Sequence, residues 1–106
     1  MNKKTLDALK GSIAKWKAIA AGTGRDNGSE NCPLCQLFID SDCKGCPVEK
    51  ASGKYGCDGT PFVSFRDAFR SGTAFPYKAT TLKQKAAARA ELKFLRSLLP
   101  KGMVAK

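Results

Sequence analysis

The chain predicts a mainly α-helical, small metal-stapled domain in which the N-terminal and C-terminal helices pack together. Three observations carry that expectation. Apolar residues recur at steps of three and four near both ends, the spacing of one face of a helix. Four of the five cysteines form two CxxC pairs, Cys32 with Cys35 and Cys43 with Cys46. The stretch between them and around them is dense in Gly, Asp, Asn, Ser and Pro, too polar to bury a core of its own. With 106 residues the expectation is one domain over 1–106, and a domain that short gains from a metal staple.

The first helix is expected over 1–21. Leu6, Leu9, Ile13, Trp16 and Ala20 make its apolar stripe, Gly11 is a weak spot worth about 1 kcal/mol against alanine, and Gly22-Thr23-Gly24 ends the run. Lys3, Lys10 and Lys17 recur at sevens on the outer flank. Gly22-Thr23-Gly24 has neither a preceding strand nor a following Gly-Lys-Ser/Thr, so it is not read as a phosphate loop.

Residues 22–59 form the cysteine-rich metal loop, with a short apolar patch at Leu34, Leu37, Phe38 and Ile39. A short helix follows over 60–70, opened by Thr60-Pro61 and carrying Phe62, Phe65 and Phe69 on one face. Ser71 to Pro76 breaks it. A long basic amphipathic helix is expected over 81–99, opened by a Thr81–Gln84 capping box and closed by Pro100 and Gly102. Its apolar rows are Ala88, Leu92, Leu95 and Leu99, then Ala87, Phe94 and Leu98.

In a CxxC turn two thiolates converge on one ion, and a second such turn completes the tetrahedron zinc prefers. Cys32, Cys35, Cys43 and Cys46 are the expected zinc ligands, with Cys57, in its own tight Gly56–Gly59 turn, as a possible substitute ligand. An iron–sulfur cluster is the alternative cofactor, since all-cysteine ligation suits it and Cys46-Pro47 matches the proline after a ferredoxin ligand; the seven residues between the pairs do not match that spacing. Disulfides rank below both, given the odd cysteine count.

The net charge of +10 is unevenly placed. Residues 1–20 carry five lysines against one acid, residues 61–106 ten basic groups against two acids, and residues 21–60 four against six. Any attraction for phosphate therefore lies in the flanks and not in the cysteine-rich centre. Lys85, Arg89, Lys93 and Arg96 stand one above another on the last helix as a basic ridge, backed by Lys83, Lys101, Lys10 and Lys17, and such a ridge suits a phosphate backbone read without sequence preference. A solvated solubility face is the plainer reading of the same lysines.

The chain has no histidine, so the usual general base and the Ser-His and Cys-His nucleophile systems are missing. A zinc closed by four thiolates holds no water for hydrolysis, and no βαβ pattern surrounds either CxxC. No enzyme activity is expected, apart from a residual chance of redox exchange. The opening Met1-Asn2-Lys3-Lys4 runs into a helical pattern rather than an apolar segment, so neither a signal peptide nor a membrane span is expected, and the location is read as cytoplasmic.

Ile13-Ala14-Lys15-Trp16, Asn31-Cys32-Pro33-Leu34-Cys35, Cys43-Lys44-Gly45-Cys46-Pro47-Val48, Gly56-Cys57-Asp58-Gly59-Thr60-Pro61-Phe62 and Glu91-Leu92-Lys93-Phe94-Leu95 together give the chain a pattern that resembles small cysteine-rich proteins of tailed-phage genomes. The resemblance spans most of the length and carries no catalytic residue. It implies a phage accessory protein in a bacterial host cytoplasm, and it makes Cys57 part of the shared pattern. The expected function is a non-enzymatic zinc-stabilised binding module that modulates host or phage nucleic-acid machinery. Its expected partners are nucleic acid or a host protein of nucleic-acid metabolism, and the alternative is an inhibitor or adaptor acting on a host protein, steered by charge.

Overall fold

The computed structural model describes residues 2–38, 45–53 and 60–100. Cys43, Cys57, Ile39 and Lys101, all named in the sequence reading, lie outside the described residues. Among the described residues five α-helices follow one another: α1 (Lys3–Ala21), α2 (Pro33–Phe38), α3 (Pro47–Ser52), α4 (Phe62–Asp67) and α5 (Leu82–Ser97), with a 3-10 turn at Gly28–Asn31 before α2. The fold is mainly helical, and α1 packs along α5 as its main contact.

Helix α1 begins where the Asn2 side chain accepts from the Thr5 N–H at 2.8 Å, satisfying one of the donors a helix start leaves open. It stops at Gly22, whose φ of 84° lets its N–H turn back to the carbonyls of Ala18 and Ile19. Leu9, Ile13, Trp16 and Ile19 are its buried apolar residues. The stripe thus runs onto Ile19 at its end, with Ala20 and Leu6 only half-buried, because 3.6 residues per turn drift from a strict three-four alternation.

Gly11 is not a weak spot in this packing. A Cβ there would lie 3.0 Å from the Pro33 ring, so its absence lets the start of α2 sit against the middle of α1. The Leu34 N–H donates to Ser12 Oγ at 3.4 Å on the same contact.

The described parts of the middle hold two short helices. Both Cys-Pro pairs begin helices, Pro33 opening α2 after Cys32 and Pro47 opening α3 after Cys46, because proline needs no amide partner in a first turn and its φ is already helical. Helix α4 is shorter than the expected 60–70. Its last amides bond three residues back, Ala68 to Phe65 and Phe69 to Arg66, which tightens and ends the helix. The same i to i+3 bonds at Leu98 and Leu99 close α5 before Pro100.

At the start of α5 the capping box forms as expected, with Thr81 Oγ1 accepting from the Gln84 N–H at 3.1 Å and Gln84 Oε1 accepting from the Thr81 N–H at 3.1 Å. Gln84 also donates through Nε2 to the Ala68 carbonyl at 3.3 Å, tying the end of α4 to α5. The core between α1, α4 and α5 is aromatic: Phe65, fully buried, meets Trp16 edge to face at 4.8 Å and Phe69 at 5.0 Å. Asp26 and Tyr77 exchange both backbone hydrogen bonds, at 3.0 and 2.8 Å, and fix the segment after α1 to the segment before α5.

Candidate functional site

Two regions carry chemistry. The first is a cluster of charge and thiol between α1, α2 and α5. Lys15 stands one residue before Trp16 on the inner flank of α1, and its ammonium donates to Asp26 Oδ1 at 2.8 Å and to the Gly28 carbonyl at 3.4 Å. Both side chains of the pair are under a tenth exposed. Asp26 Oδ1 also accepts from the Gly28 N–H at 2.9 Å. Lys15 Nζ lies 5.5 Å from the centre of the Trp16 ring, a cation over an aromatic face.

Glu91 enters the same region from α5, which packs its Ala88, Glu91, Leu92 and Leu95 face inward. It is 3% exposed. Its carboxyl is pushed up to about 7, first by burial and then by the negative charge of Cys32 and Asp26, against a partial offset from Lys15. Two oxygens here, Glu91 Oε1 and Asp26 Oδ2, are buried without a hydrogen-bond partner among the described residues. Cys32 and Cys35 border the same cavity of about 180 Å³.

Cys32 Sγ accepts from the Cys35 N–H at 3.2 Å. Its thiol is drawn down to about 6, chiefly by hydrogen bonding from the Cys35 side chain, helped by the Cys35 amide, Lys15 and Ser12 and opposed by burial. The thiolate is the ligating and nucleophilic form of cysteine, so the chemistry of this pair fits a soft metal. Cys46 stands apart in the chain, at the N-cap of α3 and buried, where Gly45 and Pro47 border a groove with Asn2, Thr5 and Phe38. Of the expected ligands Cys32, Cys35 and Cys46 are described and Cys43 is not, nor is the substitute Cys57. Among the described residues no three cysteine, aspartate or glutamate side chains gather closely enough to hold a metal ion.

The second region is the basic ridge of α5. Arg89, Lys93 and Arg96 are exposed, and Lys85 is half-buried. Lys85 is set apart by its position: its Cε and Nζ lie 3.3 and 3.4 Å from where a Cβ on Gly22 would stand. Its ammonium therefore sits over the C-terminal end of α1, where the helix dipole favours a cation. Among the described residues the ion pairs are Lys15–Asp26 and Arg66–Asp67, so the ridge cations have no acidic partner there.

Sequence reasoning picked out the cysteines and the ridge but not Lys15, Asp26 or Glu91. A signal for Glu91 exists: it falls three residues after Ala88 and four before Leu95, inside the apolar row, where an acid is out of place. No described helix is long and apolar enough to cross a membrane. Compared with known proteins, the chain matches no family model, no curated protein and no solved structure.

Proposed function

We propose that the protein is a non-enzymatic binding module that engages nucleic acid through the phosphate backbone, with α5 as the contact surface. The observation that supports this reading most is the exposed row of Arg89, Lys93 and Arg96, three cations without an acidic partner among the described residues on a chain of net charge +10. Such a row tracks phosphates without reading bases, so binding is salt-dependent and largely independent of sequence. Zinc on Cys32, Cys35, Cys43 and Cys46, with Cys57 as the replacement ligand, would keep the central segment in shape, and it requires Cys46 to come closer to the Cys32–Cys35 pair than it stands. A tailed-phage origin and action in a bacterial cytoplasm fit a small basic accessory module of this kind.

The test is a salt series of binding to labelled DNA and RNA, with unaltered protein and the double variant Arg89→Glu, Lys93→Glu. Removing two phosphate contacts lowers the slope of log affinity against log salt by about 2 while helical content is kept, because both side chains are exposed. An affinity that does not change with salt would sink the reading and leave the alternative of a host-protein partner.

A further inference from the structure

We propose that the ring stack of Phe69, Tyr77 and Phe75, with the groove that Arg66 and Arg70 border beside it, is a binding site for single-stranded nucleic acid, one unpaired base stacking on Phe75 and the flanking phosphates meeting the two arginines. This rests on the nucleic-acid reading and narrows its substrate to strands whose bases are free.

The Phe69 and Tyr77 rings stack at 4.8 Å and 19°, and Phe75 follows on Tyr77 at 4.6 Å. Among the described ring contacts Phe69 and Phe75 touch Tyr77 but not each other, so they flank it from two sides. The inner end is anchored in the core, where Phe69 meets Phe65, and Tyr77 is fixed by its backbone pair with Asp26. The outer end is open, with Phe75 52% exposed. Its ring tip is held as well, since a Cβ on Gly28 would stand 3.0 Å from Phe75 Cζ. A lone exposed phenylalanine is ordinary on a protein surface. One that ends a stack anchored on two further rings is a flat platform already in place, and a planar partner binds it without first ordering the ring.

Cations stand next to the stack. Arg66, Arg70, Ser71 and Thr73 border a groove of about 440 Å³ whose aromatic wall is Phe69 and Tyr77, a volume in the range of ligand sites. Arg66 Nε and Asp67 Oδ1 are 3.5 Å apart with side chains 48% and 66% exposed, a solvated contact that holds little of the guanidinium. Arg70 is exposed and has no acidic partner among the described residues. The Thr73 N–H and hydroxyl both donate to the Arg70 carbonyl, at 3.0 and 2.6 Å, so this arginine is carried on a fixed bend.

A nucleotide with a free base offers both things this surface can hold, a π-face for the ring and an anion for the guanidinium groups. In a duplex the base faces are already stacked on one another. An acidic peptide would use the arginines and leave the platform bare. The platform is also within reach of the α5 ridge: Lys85 Nζ and the Ala79 carbonyl lie within 4 Å of one point beside Gly22, and the four residues from Ala79 to Phe75 span at most about 14 Å. One strand can cover both.

Full-length protein is titrated against labelled oligo-dT of about 15 nucleotides, an abasic strand with the same number of phosphates, and a duplex, with fluorescence anisotropy as the readout. Oligo-dT binds at least about fivefold more tightly than the abasic strand, the low end of what one base stacked on an aromatic side chain adds. Phe75→Ala loses the same factor on oligo-dT and keeps its affinity for the duplex, with the slope of log affinity against log salt unchanged because no phosphate contact is removed. Phe75→Tyr restores oligo-dT binding. Arg66→Ala with Arg70→Ala lowers the salt slope by about 2. Circular dichroism checks that Phe75→Ala stays helical; if it does not, the abasic comparison on unaltered protein decides.

The inference is overturned by equal affinity for oligo-dT and the abasic strand, by a folded Phe75→Ala variant that binds oligo-dT unchanged or weakens on strand and duplex alike, or by an unchanged salt slope in the double arginine variant. Those results leave the rings to a protein partner, while salt-dependent binding that persists through them keeps the phosphate reading of α5. Binding that ignores salt removes both.

Discussion

The Lys15 ammonium and Asp26 Oδ1 are 2.8 Å apart, with the two side chains 9% and 1% exposed. They join α1 to the segment that Tyr77 holds through its backbone, so the ion pair and the backbone pair secure the same point of the fold. Lys15→Met leaves Asp26 charged and buried with no counter-ion. Breaking a buried pair from one side costs about 3–5 kcal/mol, and the variant loses that much in urea unfolding at neutral pH. A loss below about 1 kcal/mol would show that Asp26 finds water.

Glu91 makes stability depend on pH in a direction unusual for a carboxylate. Its folded value, about 7, lies above the unfolded 4.5, so the native state binds more protons between those values. The contribution is complete below about pH 4.5 and lost as pH rises through 7. Glu91→Gln abolishes that loss, and the variant gains on the unaltered protein between pH 5 and 8 in paired thermal melts. Equal pH profiles would contradict the assignment of the raised carboxyl to Glu91.

Helix propensity and packing make opposite predictions at Gly11. Alanine gains about 1 kcal/mol as a helix former, yet its Cβ would stand 3.0 Å from Pro33 Cγ, against a ring that opens α2 and has no soft torsion to yield. Gly11→Ala therefore fails to stabilise and lowers the melting temperature. A rise of about 4–8 °C, the return of a full 1 kcal/mol in a domain of this size, would mean that α2 moves aside without cost.

Chelation tests the metal. Protein prepared under reducing conditions with zinc carries one ion per chain by elemental analysis, and strong chelator lowers its melting temperature by roughly 10 °C or more, since a tightly bound ion adds several kcal/mol by mass action. Cys32→Ser and Cys35→Ser each weaken retention of the ion. A melt indifferent to chelator falsifies the staple, and brown protein containing sulfide replaces zinc with a cluster.

Much of the helical frame was legible in the sequence because local physics specifies it. The Gly22 stop of α1, the Thr81–Gln84 box and the apolar row of α5 depend on neighbours within four residues, as does the Asn2 start of α1, which the sequence reading did not single out. Helix ends were read three residues too long at α4 and two at α5, where i to i+3 bonds close the helix. The role of Gly11 was hidden because Pro33 lies 22 positions away in sequence. Lys15, Asp26 and Glu91 come from three separate segments, and each alone looks like an ordinary surface charge until tertiary packing removes the water around it.

The reciprocal amide pair of Asp26 and Tyr77 acts as a clasp on the polypeptide. The fifty positions it encloses, all five cysteines among them, form a closed excursion from the long helical pair. Closure entropy grows only with the logarithm of contour length, about 0.6 kcal/mol per doubling. Length changes between the helices of the excursion therefore cost little closure entropy, whereas changes within α2 or α4 would break their packing against α1 and α5.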